Sequence, residues 1–315
     1  MAELTKVAYV FPGQGSQWVG MGRDLYDDFK SARAVFDQAD EVLGFSLSKL
    51  CFEGPEDELR QTLNAQPAIL TVSCACLMAA REVSPNLPLP AFVAGHSLGE
   101  YTTLAFSRVF DFATTVYLAR ERGRLMHEAG MLRPGSMAAV MGFDEALLAE
   151  VCQQTGTYIV NINCPGQLVI SGDRDNMAQA MDLAKAKGAP RVIPLPVSDA
   201  FHTPLMQPAV DGMARITARL FFNAPAIPII ANTTAQPLTT GEAVKEELFR
   251  QLCNCVQWQR SIEYMVAEGV STFIEIGPGK VLTGLIKRIN KEVETINIGD
   301  SQAISDLPSL LGVDK

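Results

Sequence analysis

Histidine is scarce in this chain of 315 residues: only His96, His127 and His202 occur. The seven cysteines, Cys51, Cys74, Cys76, Cys152, Cys164, Cys253 and Cys255, contain no C-x-x-C pair. Without paired thiols or clustered imidazoles there is no ligand set for zinc, and no metal is expected. An odd thiol count with no leader-like N-terminus points to reduced cysteines and a cytoplasmic protein. Basic residues are outnumbered, 26 against 35, for a formal charge of −9, which argues against nucleic acid as a partner. Neither G-x-x-x-x-G-K-[ST] nor G-x-G-x-x-G occurs. Gly277-Pro278-Gly279-Lys280 runs into Val281 rather than a hydroxyl residue, so nucleotide hydrolysis and dinucleotide binding lack support. The most apolar run, Ile69–Ala80, closes at Arg81 and is too short to span a bilayer. It reads as a buried helix started by Pro67, and no membrane partner is expected.

What is present is an alternation of short apolar runs with helical patterns. Lys6–Phe11, Ala91–Ala94, Ile227–Ala231 and Thr272–Ile276 read as buried strands. Met21–Phe29, Ala68–Ala80, Tyr101–Phe106, Ala113–Glu128 and Val281–Asn290 read as helices. The fold class is therefore α/β, with a parallel sheet covered on both faces. The middle of the chain differs. Strand-like Ser136–Gly142, Tyr158–Asn163, Gln167–Ser171 and Arg191–Leu195 are interleaved with helical Asp144–Gln154 and Asp175–Lys187. That order is a split βαβ, a ferredoxin-like subdomain inserted at 131–200 between the two parts, 1–130 and 201–315, of a larger catalytic domain.

The strongest chemical signal is Gly95-His96-Ser97-Leu98-Gly99, placed between a strand and a helix. A serine on such a sharp turn stands clear of the sheet above a helix N-terminus, the arrangement of a nucleophile elbow. Its hydroxyl needs a base. His96 is beside it in the elbow and should point away, and His127 falls near a helix end. His202, in a loop after the inserted segment, is the favoured base. Phe11-Pro12-Gly13-Gln14-Gly15-Ser16-Gln17 follows the first strand as a glycine-flanked turn. It can serve as half of an oxyanion hole, with donors from the Gln14 and Leu98 amides, or be a tight turn and nothing more. Arg122 has Ala119 three residues before it and Met126 four after, which places its guanidinium among apolar neighbours. An inward guanidinium needs an anion, either an internal Asp or Glu or a substrate carboxylate. Arg120 and Arg124 are expected to be solvated.

These segments resemble the malonyl-CoA:acyl carrier protein transacylases of fatty-acid synthesis and the acyltransferases of polyketide synthases. The resemblance covers nearly the whole chain. It rests on the turn at 11–17, the elbow through Glu100, and Arg122-Gly123-Arg124-Leu125-Met126. Further on it rests on Phe201-His202, Asn254-Cys255-Val256-Gln257-Trp258, and Glu275-Ile276-Gly277-Pro278-Gly279-Lys280-Val281-Leu282. It implies an α/β-hydrolase-like large domain carrying a ferredoxin-like insert. It also implies that Ser97 attacks malonyl-CoA while His202 takes its proton, with Gln14 and Leu98 holding the oxyanion. Arg122 would clamp the malonyl carboxylate, with Met126 and Phe201 in the substrate site. The family orients its histidine with a backbone carbonyl, and Gln257 is placed in that position here. The malonyl group would pass to the phosphopantetheine thiol of holo-acyl carrier protein. That prosthetic group belongs to the partner; the coenzyme A thioester is a substrate, and no permanently bound cofactor is implied. Phe201 before the histidine accompanies malonyl in the polyketide branch, where serine accompanies methylmalonyl. Asp199 and Cys255 depart from the commoner His and Pro.

Two rival readings share these residues. An acyl-thioester hydrolase uses the same elbow and base, but related editing hydrolases lack the arginine. A non-catalytic docking module would not need Ser97 and His202. Carrier proteins are acidic, so Lys280, Lys287, Arg288 and Lys291 are candidates for a local basic docking surface on an acidic chain. A monomer is expected.

Overall fold

The computed structural model describes residues 6–197 and 199–310. Among them are ten strands in two sheets: β1 (Lys6–Phe11), β2 (Phe92–Gly95), β3 (Gly135–Met141), β4 (Tyr158–Cys164), β5 (Gln167–Asp173), β6 (Arg191–Pro194), β7 (Ile229–Ile230), β8 (Pro237–Leu238), β9 (Val270–Ile276) and β10 (Glu294–Ile298). The larger sheet has the order β10-β9-β1-β2-β7-β8 and is parallel except for β8, which pairs antiparallel with β7. The fold is thus mixed α/β around a largely parallel sheet.

β1 lies at its centre, with Val10 opposite Ala94 on one side and Glu275 on the other. Its side chains show why a nearly unbroken apolar run is required. Val7, Tyr9 and Phe11 enter the main core, while Ala8 and Val10 enter a second core against the helices Trp258–Ala267 and Val281–Ile289. Both faces are covered, so neither can be polar.

The smaller sheet, order β4-β5-β3-β6, is antiparallel throughout. Ala138, Val140 and Ile170 pack on one face with Leu148 and Val151 of the helix Glu145–Thr155 and Met177 and Ala180 of the helix Arg174–Ala186. Met137, Ala139 and Val169 join the main core on the other face.

Several elements differ from the sequence reading. The strand expected over 227–231 contracts to β7, because the chain turns back at once to form β8. The edge strand β10 and the helices Lys30–Leu43, Leu47–Glu53, Gln207–Thr217 and Gly241–Cys253 were not anticipated. The apolar helix runs over Thr62–Val83, so Pro67 lies inside it rather than at its start. A proline there removes the N–H that would bond the Leu63 carbonyl. The Arg120 guanidinium donates to that carbonyl instead, Nη1 to O at 2.7 Å. Arg120 also reaches Asn64 and lies over the Phe45 ring. It is half-buried and committed, not solvated. At 22 residues this helix is long and apolar enough to cross a membrane, but 83% of its most apolar window is buried in the core.

Candidate active site

The turns after β1 and β2 meet at the C-terminal edge of the sheet, the usual place for ligands in open α/β sheets. Two glycines permit the approach. A Cβ on Gly13 would lie 2.3 Å from the His96 carbonyl oxygen, and one on Gly99 would lie 2.1 Å from that of Phe11. This contact places Gln14 beside the elbow. Ser97 occupies left-handed backbone (φ +50°), a strained conformation for a residue with a Cβ. Asn232, just beyond β7, restrains it. The Asn232 Oδ1 accepts from the Ser97 amide at 2.7 Å, and its Nδ2 donates to the Gly95 carbonyl at 2.7 Å. The helix Gly99–Phe106 then starts directly beneath the serine. Among the described residues, no protein acceptor takes the backbone N–H of Gln14 or of Leu98.

His202 also sits in left-handed backbone (φ +59°) and is buried. Its Nε2 is 2.8 Å from Ser97 Oγ, and its Nδ1 is 2.7 Å from the backbone oxygen of Gln251. Sequence reasoning assigned that carbonyl to Gln257, and the structure corrects it. The Gln257 carbonyl begins the helix Trp258–Ala267 and is taken by Ser261 N at 2.9 Å. Gln251 lies in the last turn of the helix Gly241–Cys253, where carbonyls lack intrahelical donors and are free to accept from a side chain. A carbonyl can only accept, so Nδ1 carries the proton and Nε2 presents its lone pair to the serine. Burial, with the Arg122 charge adding to it, pushes His202 down from the ordinary 6.5 to about 3. The imidazole is neutral at physiological pH.

Arg122 projects from the helix Phe112–Leu132, which is capped by Asp111 accepting from Thr114 N at 2.7 Å. The residue is 1% exposed. Its Nη1 donates to Gln66 Oε1 and its Nη2 to Gln251 Oε1, both at 2.7 Å, while Nη2 also approaches Ser97 Oγ at 3.2 Å. The Tyr101 ring lies 5.3 Å from its Cζ, and its Nε has no hydrogen-bond partner among the described residues. None of the ion pairs among the described residues involves Arg122, whereas Arg124 pairs with Glu121 and Glu128. Burial lowers the Arg122 pKa. Gln251 also donates Nε2 to Glu100 Oε2 at 2.7 Å and to the Ser97 carbonyl at 2.8 Å. Burial, followed by the nearby Glu247, pushes Glu100 well above the ordinary carboxylate range.

A cleft of about 410 Å³ opens over these groups. Gln14, Ser97, Arg122, Met126, Phe201 and His202 line it, together with Met137, Leu195 and Val197 from the side of the smaller sheet. Trp18, Glu56 and Arg60 also line it. His96 reaches the cleft as well, but its Nε2 is 2.9 Å from Asn163 Oδ1 and its ring packs 5.6 Å from Trp258, so the serine is not its partner. The structure therefore brings together every site residue read from the sequence except Gln257. It adds Gln66, Asn232 and Gln251. None of the three belongs to a motif; the one hint was a polar Gln66 one position before Pro67, beside the apolar run.

A serine and a neutral histidine at a strand-to-helix turn, beside a buried guanidinium, define an α/β protein built for acyl chemistry on anionic substrates. The chain belongs to the acyl transferase domain family, whose model matches residues 8–303. It is 44% identical over 306 residues to the malonyl CoA-acyl carrier protein transacylase of Bacillus subtilis (strain 168), covering 96% of each chain. An acyl-carrier-protein-S-malonyltransferase structure from Bartonella henselae superimposes with a TM-score of 0.93 at 41% identity, covering 98% of this chain and 100% of that one. A malonyl-transacylase in complex with its type II polyketide acyl-carrier protein gives a TM-score of 0.92 at 37% identity, with the same coverage.

Proposed function

We propose that this protein transfers malonyl from malonyl-CoA to the phosphopantetheine thiol of holo-acyl carrier protein through a malonyl-serine on Ser97. The observation that carries the reading is a Ser97–His202 pair sharing one cleft with a buried Arg122 that has no carboxylate partner among the described residues. His202 Nε2 accepts the Ser97 proton as Oγ bonds to the thioester carbonyl carbon. The amides of Gln14 and Leu98 receive the negative charge on the carbonyl oxygen. Collapse breaks the carbon–sulfur bond, and His202 returns its proton to the departing thiol. The carrier thiol then gives a proton to His202, attacks the malonyl ester, and regenerates Ser97. Arg122 pairs with the free carboxylate throughout, while Met126 and Phe201 bound the space beside it.

The strand orders of the two sheets support an α/β-hydrolase-like large domain, residues 1–130 and 201–315, with a ferredoxin-like insert over 131–200. We place the protein in the cytoplasm as a monomer, acting on malonyl-CoA and holo-acyl carrier protein without a resident cofactor. A relative named simply as a malonyl CoA-acyl carrier protein transacylase and one solved with a type II polyketide carrier protein are both compatible with this reading.

Intact-mass spectrometry after mixing with malonyl-CoA tests the proposal. A malonyl adduct is expected on the wild-type chain, absent in Ser97→Ala, and it should move to holo-carrier protein when that is added. Free malonate without carrier loading would assign hydrolysis instead.

A further inference from the structure

Two parts of the cleft with different tasks are joined by a single line of side-chain hydrogen bonds. Arg122 Nη1 donates to Gln66 Oε1 at 2.7 Å, Gln66 Nε2 donates to Thr62 Oγ1 at 2.9 Å, and Thr62 Oγ1 donates to Gln14 Oε1 at 2.7 Å. Every donor points the same way, from the guanidinium to the turn that carries the Gln14 amide. Gln66 and Thr62 are both buried and lie one helical turn apart in the helix Thr62–Val83. The second Gln66 Nε2 hydrogen points to Met126 Sδ at 3.5 Å, so the amide has no alternative orientation that keeps its partners.

We propose that Gln66 and Thr62 are positioning residues that couple the Arg122 clamp to the Gln14 turn, so that occupation of the clamp sets the oxyanion donor. The inference rests on the malonyl-transfer reading. A carboxylate arriving on Arg122 competes with Gln66 Oε1 and Gln251 Oε1 for the guanidinium hydrogens. The chain is buried and fully bonded between its ends, so a shift at one link moves the next. An acyl group with a carboxylate engages both ends of the line. Acetyl engages only the oxyanion end and gains nothing from the connection.

Single-turnover acylation with malonyl-CoA and acetyl-CoA separates this role from a structural one. Thr62→Val keeps the side-chain shape and deletes both the donor to Gln14 and the acceptor for Gln66. It should slow malonyl acylation about fivefold at saturating substrate, leave KM nearly unchanged, and slow acetyl acylation by no more than about twofold. Thr62→Ser should restore the malonyl rate. Gln14→Leu removes the far acceptor from a half-buried loop position without disturbing the helix, and should slow malonyl more than acetyl. Equal slowing of both acyl groups, or none, in either variant would overturn the proposal. A wild-type protein that forms no malonyl-serine would overturn the transfer reading itself.

Discussion

Arg122 is a cation held 1% exposed with amide and hydroxyl oxygens around it and, among the described residues, no ion-pair partner. A buried charge left in that condition is costly, and a carboxylate from the substrate removes the deficit. Arg122→Ala should therefore weaken malonyl transfer by roughly 2–5 kcal/mol while sparing or improving acetyl transfer. Equal losses with the two acyl-CoAs would make the arginine structural. The same charge acts on His202, where it adds to burial in driving the pKa to about 3. The sign follows from the depressed value. The unfolded chain protonates this histidine first as pH falls, so the stability gained by keeping it neutral is full above pH 6.5 and is lost progressively toward pH 3. In activity, the acid limb of kcat/KM with acetyl-CoA should lie well below pH 6.5, and Arg122→Ala should move it upward. A limb centred near 6.5 in the wild-type protein would show a solvated base.

At the scale of elements, the helix Thr62–Val83 carries a proline in its interior and depends on a neighbour to complete it. Arg120→Met should leave the Leu63 carbonyl unpartnered and cost about 1–3 kcal/mol in urea unfolding. In a Pro67→Ala background the restored N–H can serve that carbonyl, so the cost should shrink. An undiminished cost would locate the effect at Asn64 and Phe45 instead. The same element marks the limit of what the sequence disclosed. Apolar periodicity revealed its body, but its N-terminal end contains Thr62, Asn64 and Gln66, whose polarity concealed a helix that serves the site. β1, β2, β9 and the alternating elements between β3 and β6 were legible because burial on one or both faces imposes a regular pattern. Ser97 was legible from its turn, His202 from the scarcity of histidine, and Arg122 from its apolar neighbours. Gln66, Asn232 and Gln251 were not, because an amide side chain has no motif and declares its purpose only through partners distant in sequence. The exchange of Gln257 for Gln251 has the same origin. Which carbonyl is free depends on where one helix ends and the next begins, and the helix Gly241–Cys253 was not apparent from the sequence.

At the scale of the whole molecule, the chain is acidic, with a formal charge of −9, and an acidic carrier protein, as the family resemblance implies, would carry charge of the same sign. Productive encounter then requires a local reversal of sign. The basic residues at 280–291 are the candidates read from the sequence, but they are not equivalent. Lys287 Nζ donates to the Val293 carbonyl at 2.5 Å, and Arg288 donates to Gln167 Oε1 and to the Pro165 carbonyl, fastening the β4–β5 turn to the helix Val281–Ile289. Reversing those charges would disturb packing along with any docking. Lys280 and Lys291 are exposed, and among the described residues their side chains make no hydrogen bond or ion pair, so they test the patch without that complication. Lys280→Glu with Lys291→Glu should raise KM for holo-carrier protein severalfold, leave the rate of malonyl-serine formation unchanged, and flatten the dependence of carrier KM on salt. Because malonyl-CoA is itself anionic, an equal rise in both KM values would mean that the lysines steer the coenzyme, and the carrier would then have to dock elsewhere around the cleft.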